Sequence, residues 1–177
     1  MSLSKSLQIN FENAVRLLAR TMPVANESTK KPVLFHGIRV GVYLYEHNYS
    51  ESVVLAGLLH DVLEDTNISE AEIQEIFGDT ILALVKASTK DDSIKDDLEK
   101  TNELIKRCVE NGENALIIKT ADILDSFKWY SGQQNESEIA YCMRNAHAVF
   151  EYKPDTFNDP VFEELKKWRD KYTNFSA

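Results

Sequence analysis

The chain has little of what punctuates or staples a fold. Among 177 residues there are four prolines, six glycines and two cysteines. So few breakers leave long stretches open to helix, and no segment alternates apolar and polar residues over the length of a strand. Cys108 and Cys142 stand alone, with no Cys-x-x-Cys pairing, which argues against a disulfide framework and a structural zinc site and suits a reducing compartment. No apolar run approaches the roughly 20 residues of a membrane span. Met1 to Ser6 lack the apolar core of a secretory signal, so a cytoplasmic location is expected. No dense basic cluster offsets the formal charge of -9, and neither nucleic acid nor an acidic membrane is an expected partner. No glycine-rich phosphate loop occurs. A polyanionic ligand would therefore need a cation or a local group of lysines to invert the field.

What is present fits a globular protein: 43% hydrophobic and 28% charged residues, in a length that suits one domain with a substantial core. Apolar residues recur with helical period. The pattern predicts helices over 7–22, 33–47, 51–64, 69–77, 78–88, 97–111, 113–130, 136–151 and 160–172. Pro32 and Pro160 mark two helix starts. Ser50 is placed to cap the third helix, and Ser69 with Glu72 has the spacing of a capping box. Gly78 and Gly112 mark turns, and the polar stretch 89–100 reads as a solvated loop and helix start. The expected architecture is all-α, a single domain over residues 1–177 with its core at about 10–150 and a C-terminal helix at about 160–172.

One stretch departs from plain core helix. Residues 56–66 read Ala-Gly-Leu-Leu-His-Asp-Val-Leu-Glu-Asp-Thr, and an aspartate there is flanked by Val53, Val54, Leu55, Leu58, Leu59 and Val62. A carboxylate in such surroundings needs its charge compensated, and a metal ion held by His60 and Asp61 would do so. On the helix over 51–64, Glu64 lies four residues beyond His60 and three beyond Asp61, and Asp65 lies four beyond Asp61. These two carboxylates are then near enough to orient or deprotonate a water. His36 lies on the apolar face of its helix, between Val33 and Val40, and Asp122 follows Ile118 by four residues. His36, His60, Asp61 and Asp122 make a mixed imidazole and carboxylate set that suits Mn²⁺, Fe²⁺, Zn²⁺ or Co²⁺. His47 and His147 have no comparable partners and read as surface residues, and Trp129 and Tyr130 read as packing residues.

The order His36, His60-Asp61, Asp122 resembles the signature of the HD-domain metal-dependent phosphohydrolases. The longer string Gly57-Leu-Leu-His-Asp-Val-Leu-Glu-Asp-Thr66 is similar to the hydrolase domain of the RelA/SpoT homologues and the stand-alone small alarmone hydrolases. Phe77-Gly78, Lys119-Thr-Ala-Asp122 and the helix bearing Tyr141 extend the likeness over about residues 10–150. The resemblance implies a single HD-domain helical bundle that removes the 3′-pyrophosphate of guanosine tetra- and pentaphosphate ((p)ppGpp). It implies one Mn²⁺ on His36, His60, Asp61 and Asp122, with Glu64 and Asp65 as the acidic pair serving the catalytic water. The implied partner is a small phosphorylated nucleotide. Substrate contacts would come from Lys30, Lys31, Ser126 and Tyr141. Two departures stand out. Ser126 replaces the family's usual asparagine, and Lys30-Lys31 sit in a tighter loop than the family's Arg-Lys pair. These keep two alternatives open: an HD-family phosphohydrolase of another nucleotide or phosphate ester, and a non-catalytic module that binds a nucleotide or a protein.

Overall fold

The structure is a computed structural model that describes residues 5–23 and 31–173. Every element among the described residues is a helix: α1 (Lys5–Thr21), α2 (Val33–Glu46), α3 (Glu51–Leu59), α4 (Val62–Asp65), α5 (Glu70–Phe77), α6 (Asp79–Ser88), α7 (Asp97–Glu110), α8 (Glu113–Gly132), α9 (Glu136–Tyr152) and α10 (Pro160–Thr173). None is long and apolar enough to cross a membrane. The chain divides into two compact units, Met1–Thr89 and Lys90–Ala177.

The first unit is built on α3. All residues from Val53 to Leu59 are buried, and a helix apolar on every side must be covered on every side. Helices α1, α2 and α6 supply that cover, and α5 packs on α6. The capping box of α5 forms as its spacing predicts. Glu72 N–H donates to Ser69 Oγ at 3.3 Å, and Ser69 N–H donates to Glu72 Oε2 at 2.8 Å. The Ser69 N–H bond and the Ser69 hydroxyl, which donates to the same Oε2 at 2.8 Å, hold the Glu72 carboxyl below its ordinary pKa, the backbone bond having the larger effect. Ser50 does take the N-cap position of α3, but its side chain makes no capping bond. Gly78, at φ 84, turns the chain between α5 and α6, a conformation that costs a residue with a Cβ.

The second unit is built on α8, with α7, α9 and α10 packed against it. Asp96 and Asn135 cap α7 and α9 by accepting from Glu99 N–H and Glu138 N–H. Phe127 of α8 is wholly buried and stacks with Trp168 and Tyr172 of α10, ring centroids 6.1 and 5.8 Å away. Burying a side chain of that size contributes about 1.5–3 kcal/mol. Tyr130 is buried as expected, and burial raises its phenol above the ordinary value.

Eight of the nine expected helices recur within two residues at each end. The ninth, 51–64, is corrected: α3 stops at Leu59 and the short α4 restarts at Val62. The imidazole of His60 causes the break. Its Nδ1–H donates to Gly57 O at 2.8 Å, taking the carbonyl that an unbroken helix would offer to the Asp61 N–H. Asp61 sits at φ -95, ψ 0, at the bridge edge of the helical region. Its own carbonyl then accepts from Glu64 N–H and Asp65 N–H at 3.1 and 3.0 Å and starts α4.

Candidate metal centre

Three of the six glycines let α2 and α3 approach closely. A Cβ on Gly41 would lie 2.3 Å from Leu58 Cγ, and one on Gly57 would lie 2.2 Å from Leu44 Cδ1. A Cβ on Gly37 would lie 2.8 Å from the backbone oxygen of Leu58. None of the three distances leaves room for a side chain, so the pair can only be this close with glycine there. Gly37 adjoins His36, and Leu58 lies two residues before His60. The close crossing therefore sets the separation of the two imidazoles.

His36 and His60 are 0% and 1% exposed, and their Nε2 atoms are 3.1 Å apart. Protonation can be assigned from the partners. A carbonyl only accepts, so His60 carries its proton on Nδ1 and has a lone pair on Nε2. An ammonium only donates. Lys31 Nζ, 2.7 Å from His36 Nε2, therefore marks that nitrogen as a lone pair too. Two unprotonated nitrogens at this distance cannot hydrogen-bond to each other; they fit a shared cation. Asp61, 8% exposed, adds Oδ2 at 3.2 Å from His60 Nε2 and 3.6 Å from His36 Nε2. With metal–ligand bonds of about 2.1 Å, neighbouring ligand atoms stand roughly 3.0–3.4 Å apart. The donor types and two of the three separations thus match a divalent transition metal, and the third needs only a small closure. Of the expected ligands, His36, His60 and Asp61 lie together in the first unit.

Glu64 and Asp65 do not follow His60 on one straight helix, because of the break. They line a surface recess of about 320 Å³ with Thr21, Pro23, Thr66 and Asn67. Glu64 is half-buried and Asp65 exposed. Lys30 lies outside the described residues. Lys31 is placed on the imidazole of His36.

The remaining expected site residues belong to the second unit. Asp122 of α8 is 7% exposed; Lys119 Nζ donates to its Oδ2 at 2.6 Å, and Ser126 Oγ donates to its Oδ1 at 3.4 Å. Tyr141 of α9 is half-buried, with the Arg144 guanidinium 5.5 Å from its ring centroid. His47 and His147 are exposed, as expected. Sequence reasoning gave no role to Lys119 or to the three glycines. A lysine inside the apolar run Ala115-Leu-Ile-Ile, three residues before an aspartate, was the available signal for the first. Glycines one and five residues after His36 and three before His60 were the signal for the second.

Comparison with known proteins gives the following. The HD domain family model matches residues 14–151. A guanosine-3′,5′-bis(diphosphate) 3′-pyrophosphohydrolase from Aquifex aeolicus is 29% identical over 148 residues, 81% of this chain and 21% of that protein. The guanosine-3′,5′-bis(diphosphate) 3′-pyrophosphohydrolase MESH1 of Drosophila melanogaster is 36% identical over 78 residues, 44% of this chain and 43% of that protein. The chain thus spans about a fifth of the first relative and less than half of the second. A solved structure, described as a metazoan ortholog of SpoT that hydrolyzes ppGpp and plays a role in starvation responses, superposes with a TM-score of 0.73. It covers 97% of this chain and 98% of its own at 21% identity, which carries the fold alone.

Proposed function

Because the chain belongs to the HD domain family, we propose that it is a metal-dependent phosphohydrolase that removes the 3′-pyrophosphate of guanosine tetra- and pentaphosphate. GDP or GTP and pyrophosphate are the products. The observation that carries this reading is the pair of buried, lone-pair-bearing Nε2 atoms 3.1 Å apart with Asp61 beside them. The names of the relatives supply the substrate class. The proposed ligands are His36, His60, Asp61 and Asp122, and the proposed ion is Mn²⁺. The whole chain is read as one HD-type domain, which the span of the family match supports, and it is assigned to the cytoplasm.

A divalent ion bound by these residues supplies Lewis-acid polarisation of a phosphoryl oxygen and lowers the pKa of water. The protein's own groups do the rest. Glu64 and Asp65 take the proton of the attacking water, and their open recess lets solvent reach them. His60 is held in one tautomer by Gly57 O, so its Nε2 stays available as a donor atom. Lys31 leaves His36 to meet a phosphate, and Tyr141 and Ser126 flank the nucleotide.

Purified protein incubated with Mn²⁺ and a nucleotide panel tests the reading. Pyrophosphate release from guanosine tetraphosphate, with no action on simple monophosphates, is the expected result. Orthophosphate release from monophosphates alone would refute it. Glu64→Ala and Asp65→Ala are expected to lower turnover by about 10²–10⁴-fold, the usual worth of a general base, with metal still bound. Full activity in both would remove these carboxylates from the mechanism. Ser126 favours a second reading, hydrolysis of another nucleotide or phosphate ester at the same centre. Its hydroxyl is buried against Asp122, and it is shorter than the amide usual there; the same panel separates the two.

A further inference from the structure

The recess lined by Glu64 and Asp65 adjoins a second one, of about 480 Å³, lined by Leu17, Arg20, Thr21, Asn67, Ile68 and Glu72. Thr21 and Asn67 border both, and all these residues belong to the first unit. Of the described residues that line the two recesses, three are acids and Arg20 alone is a cation. Arg20 is exposed in the last turn of α1, and it forms no ion pair or side-chain hydrogen bond with any described residue. Glu72 lies on the same recess but is committed elsewhere. Its Oε2 accepts the Ser69 N–H and the Ser69 hydroxyl, each at 2.8 Å. The hydroxyls of Thr21 and Thr66 are committed too, donating to Leu17 O at 2.8 Å and to Val62 O at 2.7 Å. The Arg20 guanidinium and the Asn67 amide are the side-chain donors left to meet a ligand there.

A guanidinium presents paired N–H donors that match two oxygens of one phosphate. In a chain of net charge -9, a polyanion needs such a group to invert the field where it binds. We propose that Arg20 binds the distal phosphate of the 3′-pyrophosphate group, and so makes the site prefer pyrophosphoryl over phosphoryl esters. This rests on the substrate reading given above and narrows it to one specificity residue. The phosphorus under attack must face the water that Glu64 and Asp65 deprotonate, so it lies against their recess. The distal phosphate is one bridging oxygen further on, and the adjoining recess receives it beside Arg20. A monophosphate reaches only the first recess and leaves Arg20 in water. Pyrophosphate, as the product, makes the same contact as the group it came from.

Calorimetric titration of inorganic pyrophosphate and of orthophosphate into Mn²⁺-loaded wild type, Arg20→Ala, Arg20→Lys and Arg16→Ala tests the assignment. Arg16 lies one turn earlier on α1 and is held by Glu12, so it is the control for a general loss of positive charge. Arg20→Ala is expected to bind pyrophosphate about tenfold more weakly than wild type, or weaker still, the usual loss for a hydrogen bond between charged groups. Its orthophosphate affinity should be unchanged. Arg20→Lys keeps the charge without the paired donors and should fall between the two. Arg16→Ala should match wild type. High salt should narrow the gap between wild type and Arg20→Ala, because the contact is exposed. With guanosine tetraphosphate, Arg20→Ala should raise KM by a similar factor with little change in kcat. Equal pyrophosphate affinity in wild type and Arg20→Ala, or a wild type that binds no pyrophosphate, would overturn the proposal. So would equal losses for both anions, which would place Arg20 on the reacting phosphate. A wild type that binds pyrophosphate through Arg20 yet releases none from guanosine tetraphosphate would uphold the pyrophosphate contact and overturn the substrate reading.

Discussion

Adding one methyl group at Gly37 should separate the two buried histidines, His36 and His60. Two effects of opposite sign decide its stability. Alanine in a helix is favoured over glycine by about 1 kcal/mol, and overpacking a tight interface costs about 1–3 kcal/mol. At Gly57 the clash is with Leu44 Cδ1, the end of a side chain that can change rotamer. At Gly37 it is with the Leu58 carbonyl, which cannot turn away without moving α3. The 2.8 Å approach there is about 0.6 Å closer than ordinary contact. If α2 and α3 part by that amount, the 3.1 Å between the Nε2 atoms grows to about 3.7 Å, beyond the roughly 3.4 Å spanned by neighbouring ligands on one ion. Gly37→Ala is therefore expected to lose about 1–2 kcal/mol in urea unfolding and to bind Mn²⁺ at least about tenfold more weakly by calorimetry. Gly57→Ala should lose less of both. Gly132, with nothing within 4 Å of its would-be Cβ, is the control, and Gly132→Ala should be neutral or gain up to about 1 kcal/mol. If Gly37→Ala binds Mn²⁺ as tightly as wild type, the helix crossing does not set the histidine separation.

Two other expectations follow from single contacts. Lys31 occupies the lone pair on His36 that a metal would need, so Lys31→Met should bind Mn²⁺ more tightly than wild type, several-fold by calorimetry; weaker binding would mean the lysine supports the centre. Cys108, held near 12 by burial against 9.0 for the free group, keeps its proton in the fold while the unfolded chain loses it. Its contribution to stability is thus whole below about pH 9 and declines as pH rises towards 12, by up to about 1.4 kcal/mol per unit. Cys108→Ala should flatten the fall of the urea midpoint between pH 9 and 10, and an unchanged slope there would refute this account.

Much of the local structure was legible because its causes are local. The capping box at Ser69–Glu72, the glycine turns at 78 and 112 and the helical period of α7 depend on residues within one or two turns of each other. The inward histidines and Asp61 were legible for a related reason: polar residues in an apolar run must be compensated, whatever the fold. The break at His60 was not, because it depends on an imidazole rotamer that reaches back to Gly57 O, and composition does not specify a rotamer. The capping bond expected of Ser50 failed for the same kind of reason, since the right residue in the right position can still turn its hydroxyl elsewhere.

By itself, then, the sequence determined an all-helical chain, the turns between its helices and the identity of the imidazoles and carboxylates that water would not be left to solvate. Only the tertiary structure decided that the Nε2 atoms of His36 and His60 stand 3.1 Å apart, and that Lys119 bonds to Asp122 within α8. The reason is range. Periodicity and capping act along the chain over a few residues. The separation of α2 from α3 is fixed by which side chains are missing at the crossing, and the charge balance of a buried helix is fixed by which way each long side chain turns once its neighbours are packed around it.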